Sequence, residues 1–595
     1  MPLFAENLAE RLIPLDYAIF GLYVLGVVVL GIVASRRASG SKRDYFLAGD
    51  KLPWWMIGGS IVAANLSSHH LVGAIGAAYD RGFITVCGEW GAILIGLNAL
   101  LWIFLPFYLR NGFYTMPEFL QRRFGTAPRI VFAILMLLTY LFVEISGVLI
   151  LGAIALQELL HLNLSLSIIA IAVATGIYTI TGGLRAVIWT EMLQLSVLLM
   201  GGLALAFTTL YAVGGWDFFI STRDDWHLLL PASDMDFPWT QYLGGALCIS
   251  TFYFATNQFI VQRVLAAKNE WNARMGIVFT CYLKFIIPLM ITVPGLMAFY
   301  LVEKGIIPAP ERPDMIFASL VVHLLPHGLI GLVLAGLIAA IMGHISGAVN
   351  SCSTIATIDL YLPYKQAMKA RQAKISSERS TAVRAVSGGN AAIFETESRE
   401  EQTKNEDLAA IRFGKLFGAM IIFFGILWAI FLSGQIKRPI YIYLIMAYSY
   451  FAPGITTMFV MGVFWKRTTY WGATVAGLLT VPLSIVLELI GKFWNSEAIS
   501  QVIPLSVSTL EKMGTLIAPF ANRCTIAFWT CIVVCAVVSL CTKPKPESEL
   551  QGLIWNWNSL KLPENEKAEM TILTRPGFWW IIITLIVLSF YIMFP

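Results

Sequence analysis

Apolar residues gather into about fourteen runs, near 15–35, 54–80, 83–108, 129–157, 163–182, 186–213, 240–265, 275–303, 328–360, 410–433, 438–464, 469–491, 520–542 and 576–594. Most reach about the 20 residues that a helix needs to cross a bilayer. They are too long and too uniformly apolar for barrel strands, so the pattern predicts helical spans. Polar residues break two of the runs in mid-course. The second contains VAANLSSHH (62–70) and the seventh contains STFYFATNQF (250–259). Five runs separate their starting points, the spacing that two five-helix halves require. Paired interruptions of this kind point to a transporter's binding site.

Composition agrees with the pattern. The 595 residues are 57% hydrophobic and 13% charged, with a mean hydropathy of +0.73. A soluble chain of this length carries far more charge. Most of the 41 Lys/Arg fall in alternate loops, in SRRASGSKRD (35–44), LQRRFG (120–125), FWKRTT (464–469) and the long 361–412 segment. The positive-inside rule makes those loops cytoplasmic and places both termini outside, in the plasma membrane. The net charge of +5 then follows from topology and does not argue for nucleic acid. The first run has no basic leader or small-residue cleavage site and reads as a retained span. Cys87, Cys248, Cys281, Cys352, Cys531 and Cys535 fall within spans at no paired spacing.

The chain divides into a first span (1–35), a first part (54–265) and a second part (275–464). A cytoplasmic loop (363–409), read as a short basic helix and then disorder, interrupts the second part. Additional spans (469–542), a cytoplasmic loop (543–575) and a C-terminal span (576–595) follow. No catalytic or nucleotide-binding module is appended, and GGL at 182–184 reads as a turn.

Ionisable residues inside spans are few: Glu89, Glu144, Glu191, Lys284, His344 and Asp359. Each is costly in a bilayer and therefore a site candidate. Glu89 and Lys284 can pair and polarise a hydroxyl-rich ligand, or simply bridge two helices. Glu191 and Asp359 lie near span ends, where snorkelling or pairing suffices. His69 and His70 are adjacent, about 100° apart on a helix, and lack ligand-spaced partners for a metal. The ninth run ends in AAIMGHISGAVNSCSTIATIDLY (339–361), in which Gly336, Ala340, Gly343 and Gly347 form a small-residue stripe suited to close packing.

The chain resembles the sodium/solute symporter family, most closely its sodium–glucose cotransporter branch. The likeness is carried by RDYFLAGDKLPWWMIGGSIVAANLSS (43–68), YTMPEFLQRRFG (114–125), YTITGGLRAVIWTEMLQ (178–194), NQFIVQRVLAAKN (257–269), FWKRTTYWGA (464–473) and NSCSTIATIDLY (350–361). It implies an all-α membrane protein with a LeuT-like core of two inverted five-helix repeats, discontinuous helices and sodium-driven alternating access, in which 54–265 and 275–464 form the transport core and 1–35 is an extra N-terminal span. Carried over by position, the sugar-contacting residues are Glu89, Asn257 and Lys284. Two family glutamines fall at His70 and Ile445, the outer aromatic lid at Gly88, and the inner gate tyrosine at Phe259. The implied sodium site uses the carbonyls of Ala63, Leu66 and Ala340, with its two hydroxyl positions at Gly343 and His344.

The resemblance therefore implies symport of a sugar or polyol with sodium, in contact with membrane lipid and without other cofactors. The lost hydroxyls keep three couplings open: sodium held by water or a neighbouring serine, a proton taken by His344, or uncoupled transport. Another small solute (amino acid, vitamin or organic acid) and a non-transporting sensor are the alternatives. No nucleophile–base or metal constellation suggests an enzyme, and no loop reads as a channel filter.

Overall fold

The computed structural model describes residues 12–36, 45–46, 51–160, 162–215, 226–383, 395–435, 440–501, 505–567 and 570–594. Among them there is no sheet, only the isolated bridges Leu52–Ala267 and Leu230–Pro238. Among the described residues, eleven helices are long and apolar enough to cross a membrane. The expected figure of about fourteen is not reproduced by length and composition. Run 54–80 is split at Leu66 and run 240–265 at Asn257, while run 163–182 belongs to the long helix Leu164–Val213, kinked at Gly183.

The breaks fall where the polar interruptions were. Helix Trp54–Asn65 stops because Leu66 turns extended (φ −72°, ψ 125°), and the chain resumes as a π-turn, His69–Ala74, running into Ile75–Arg81. The second split helix stops at Asn257 (φ −75°, ψ 121°) and resumes as Gln258–Leu265. The GGL turn kinks the long helix Leu164–Val213. Gly183 adopts φ +62°, and a Cβ there would stand 2.6 Å from the Tyr45 carbonyl, so only glycine fits.

Of the polar 363–409 segment, Leu362–Val383 is helical and residues from Glu395 onward belong to the helix Glu395–Ser433. The expected disorder is thereby corrected for 395–409, where Glu-rich sequence propagates the span's helix. Residues 384–394 lie outside the described residues, as do 1–11, 595 and most of SRRASGSKRD. The 543–575 segment crosses one end of the bundle. Arg274 donates to the Leu560 and Ser559 carbonyls at 2.7 and 3.1 Å, and Asn111 to that of Gly552 at 3.1 Å.

Several motifs that carry the family likeness are clamps. Arg123, fully buried, donates to the carbonyls of Gly462, Trp465 and Thr468 at 2.8, 3.0 and 3.3 Å, joining YTMPEFLQRRFG to FWKRTT. Glu270 holds Arg110 and Arg274 at 3.0 and 2.6 Å.

The extra first helix, Pro14–Arg36, is tied to the bundle by one carboxylate. Asp16 Oδ1 accepts the backbone N–H of Gly328 and of Gly331, each at 2.8 Å, at the start of helix Leu329–Thr354. Asp16 is buried. Asp16→Ala strands two buried donors at about 1–3 kcal/mol each, and is expected to lower the melting temperature of the detergent-purified chain measurably.

Candidate functional site

The break of the first split helix and the first half of the second line a cavity of about 190 Å3. That is below the roughly 300–1,000 Å3 typical of drug-sized sites, so it suits a solute of few heavy atoms. Lining it from the first split helix are Asn65, Ser67, His69 and His70. From the next helix come Gly88 and Glu89, from the second split helix Tyr253 and Phe254, and from the 440–464 helix Ile445 and Tyr448.

One hydrogen-bond chain crosses this space. Lys284, with 2% of its side chain exposed, pairs with Glu89 Oε2 and donates to Asn65 Oδ1 at 2.6 Å. His70 Nε2 meets Glu89 Oε1 at 3.1 Å, and Asn65 Nδ2 donates to the Tyr253 hydroxyl at 3.1 Å. Amide, carboxylate, ammonium, imidazole and phenol thus stand in one row. The helix break makes this possible, because it frees the 65–70 stretch from regular turns and turns Asn65 and His70 toward the same carboxylate–ammonium pair.

A second pair forms the wall on the other side. His344, on helix Leu329–Thr354, places Nε2 2.7 Å from Glu144 Oε2 and Nδ1 2.8 Å from the Ala64 carbonyl. Glu144, without an evident partner in the sequence, finds it here. His344 and Glu144 both line the cavity, and both are buried. Gly343 faces the break itself: a Cβ placed on it would stand 3.2 Å from the Ala63 carbonyl. Leu66 ends the half-helix, and Ala340 lies on the same face of its helix as Gly343 and His344.

The other sequence candidates divide. His70, Glu89, Gly88 and Ile445 line the cavity, and Lys284 reaches it through Glu89 and Asn65. Asn257 does not line it. Its Oδ1 accepts from the Tyr140 hydroxyl and from Phe259 N (3.0 Å), capping the second half-helix. Phe259 lies beneath the cavity, its ring 5.0 Å from that of His344 and 5.1 Å from the Arg263 guanidinium. Glu191 and Asp359 do not snorkel. Glu191 pairs with Arg263, both fully buried, and Asp359 with Arg129 at 2.9 Å.

Sequence reasoning missed Asn65, Tyr253 and Tyr448. Tyr448 lies one helical turn beyond Ile445, so the polar contact from that helix is offset rather than lost. It missed Tyr242 as well. Gly88 leaves the cavity edge open, and Tyr242 covers that region from the 239–243 turn. Its hydroxyl is 3.1 Å from that of Tyr591 on the last helix, which donates to the Cys87 carbonyl at 3.4 Å.

The cavity extends toward the end of the bundle that holds Asp236, Phe237 and Gln241. There Arg81 holds Asp234 at 2.5 Å and Asp236 at 3.5 Å. Burial raises the Asp234 carboxyl, but the Phe237 and Asp236 amides and Arg81 outweigh it and hold the pKa below the usual carboxylate range.

The sodium:solute symporter family model matches residues 45–393. A sodium/glucose cotransporter of Vibrio parahaemolyticus is 30% identical over 534 residues, covering 85% of this chain and 89% of the relative. A sodium/myo-inositol cotransporter 2 of Sus scrofa is 34% identical over 516 residues, covering 80% and 70%. Sodium/glucose cotransporter 1 of Oryctolagus cuniculus is 30% identical, covering 93% and 82%. A solved Na+-coupled sialic acid symporter in a substrate-bound outward-open state shares the fold, with a TM-score of 0.69 at 20% identity, covering 89% and 98%.

Proposed function

The chain belongs to the sodium:solute symporter family, a family of LeuT-fold membrane transporters and not of enzymes, and from that membership we propose that it carries a sugar or polyol together with sodium by alternating access. The observation that carries the reading is the row Tyr253–Asn65–Lys284–Glu89–His70 along a small cavity between the two split helices, at the break of the first. Hydroxyls donate and accept equally well, and such a row offers both functions to one ligand. Each carboxylate on the cavity wall already has a basic partner: Glu89 has Lys284, Glu144 has His344, and Asp236 has Arg81. A neutral solute fits that balance better than an organic acid. The names of the relatives, sodium/glucose and sodium/myo-inositol cotransporters, support the same class.

In this reading the end of the bundle near Asp236 is the outer one, as the Lys/Arg bias suggests, and the cavity is reached from outside. The chain lies in the plasma membrane with both termini outside.

The experiment is radiolabelled uptake into liposomes of hexoses and inositols at fixed membrane potential. It is run under an inward sodium gradient, an inward proton gradient, and neither. Concentrative uptake of a polyol with sodium is expected. Accumulation driven by protons, or equilibration without accumulation, would overturn sodium coupling. Failure of every hydroxylated solute would overturn the substrate class.

A further inference from the structure

Gly343 sits in the middle of a regular helix and has no positive φ, so its backbone does not call for glycine. The reason is space. A Cβ at this position would stand 2.9 Å from Gln194 Oε1 and 3.2 Å from the Ala63 carbonyl oxygen. Two oxygens, one from helix Gly183–Val213 and one from the end of the first half-helix, pack against the same side of Gly343, where any side chain would crowd both. Both are acceptors, and acceptors converge favourably on a positive centre.

We propose that Gln194 is an oxygen ligand of the coupling cation, seated with the Ala63 carbonyl against Gly343. The proposal rests on the sodium-coupled reading above and deepens it. A hard, small cation takes neutral amide and carbonyl oxygens, and Gln194, 2% exposed, holds its oxygen away from bulk water. The break at Leu66 leaves backbone carbonyls of the half-helix without helical donors, so the cradle stands beside further oxygens. The side chain of His344 is not in this place. Both its nitrogens are engaged, with Ala64 and Glu144, about 100° round the helix from Gly343. Gln194 thus occupies the position of the hydroxyl that Gly343 cannot supply.

The surrounding charge is compatible. One turn along the helix, a Cβ on Gly347 would meet Arg263 Nη2 at 2.7 Å. That guanidinium is neutralised by Glu191, which also accepts from Ser60. Glu191 precedes Gln194 by one turn on the same helix face. The cation therefore faces a closed ion pair and not a lone positive charge.

The test is the sodium concentration for half-maximal solute uptake, measured on the full chain in liposomes, with sodium-induced thermal stabilisation as a second readout. Gln194→Leu keeps bulk and removes the oxygen. Gly343→Ala keeps every oxygen and fills the cradle. Each is expected to raise the sodium requirement about tenfold or more, while the apparent KM for solute at saturating sodium changes less than about threefold. The double variant Gln194→Ala/Gly343→Ser places a hydroxyl in the vacated space and is expected to return the sodium requirement to within about threefold of wild type. A sodium requirement within about twofold of wild type in either single variant overturns the proposal. If one variant fails to fold, the other decides. Wild-type uptake without any sodium dependence overturns the coupling reading as well, and so is distinguished from a fault in the ligand assignment.

Discussion

Glu89→Gln is expected to lower the efficiency of solute uptake by about 100-fold, and Lys284→Met by as much or more. The pair joins two helices at the cavity, with 22% and 2% of the side chains exposed. Removing one partner of a buried, hydrogen-bonded charge pair costs about 2–5 kcal/mol, much of it the penalty of leaving the other charge alone. Lys284 is the more buried member, so Glu89→Gln leaves its ammonium without a counter-charge among the described residues, held only by neutral amide oxygens such as that of Asn65. The double variant Glu89→Gln/Lys284→Met carries no orphaned charge. It is expected to recover most of the lost thermal stability but not the uptake, because both hydrogen-bonding groups presented to the solute are changed. Uptake kinetics alongside melting curves separate the two effects. Wild-type uptake in the double variant would remove this pair from solute recognition.

The second large effect is expected at Arg263. Its guanidinium holds Glu191 with Ser60 alongside and donates to the Phe259 carbonyl, tying the half-helix Gln258–Leu265 to helices Gly183–Val213 and Trp54–Asn65. Both charged side chains are essentially out of reach of solvent. Arg263→Met is expected to destabilise the chain by about 3–5 kcal/mol, enough to reduce its yield in the membrane. Arg263→Met/Glu191→Leu replaces the pair with apolar groups and is expected to recover most of the melting temperature, since such replacements are often close to neutral. A single variant as stable as wild type would show that Glu191 takes up a proton or a new partner at little cost.

The architecture was legible in the chain because its signal is local. A run of apolar residues near 20 long declares a span, and the polar interruptions at 62–70 and 250–259 coincide with the two breaks seen at Leu66 and Asn257. The likeness motifs read as function in a sequence, yet Arg123 and Glu270 within or beside them turned out to be structural clamps. Span counting was less secure, since a split helix is recognised as one pass only after its halves are seen stacked. The candidate site was legible in part. Glu89 and Lys284 announced themselves as charges in lipid and Asn65 only as part of the polar interruption at 62–70, whereas Tyr253 and Tyr448 are ordinary residues for their surroundings and gave no signal.

What the sequence by itself determined is the solvent of the protein and its helices, because hydropathy and backbone satisfaction act over one segment at a time. It also determined which few residues had to be explained, because an ionisable group in a bilayer is costly wherever it points. Only the tertiary structure decided the partners. Glu144 met His344, Glu191 met Arg263, Asn257 turned to cap a helix, and Gln194 turned its oxygen toward Gly343. Those outcomes depend on angles and distances between segments far apart in the chain, and no local pattern encodes them.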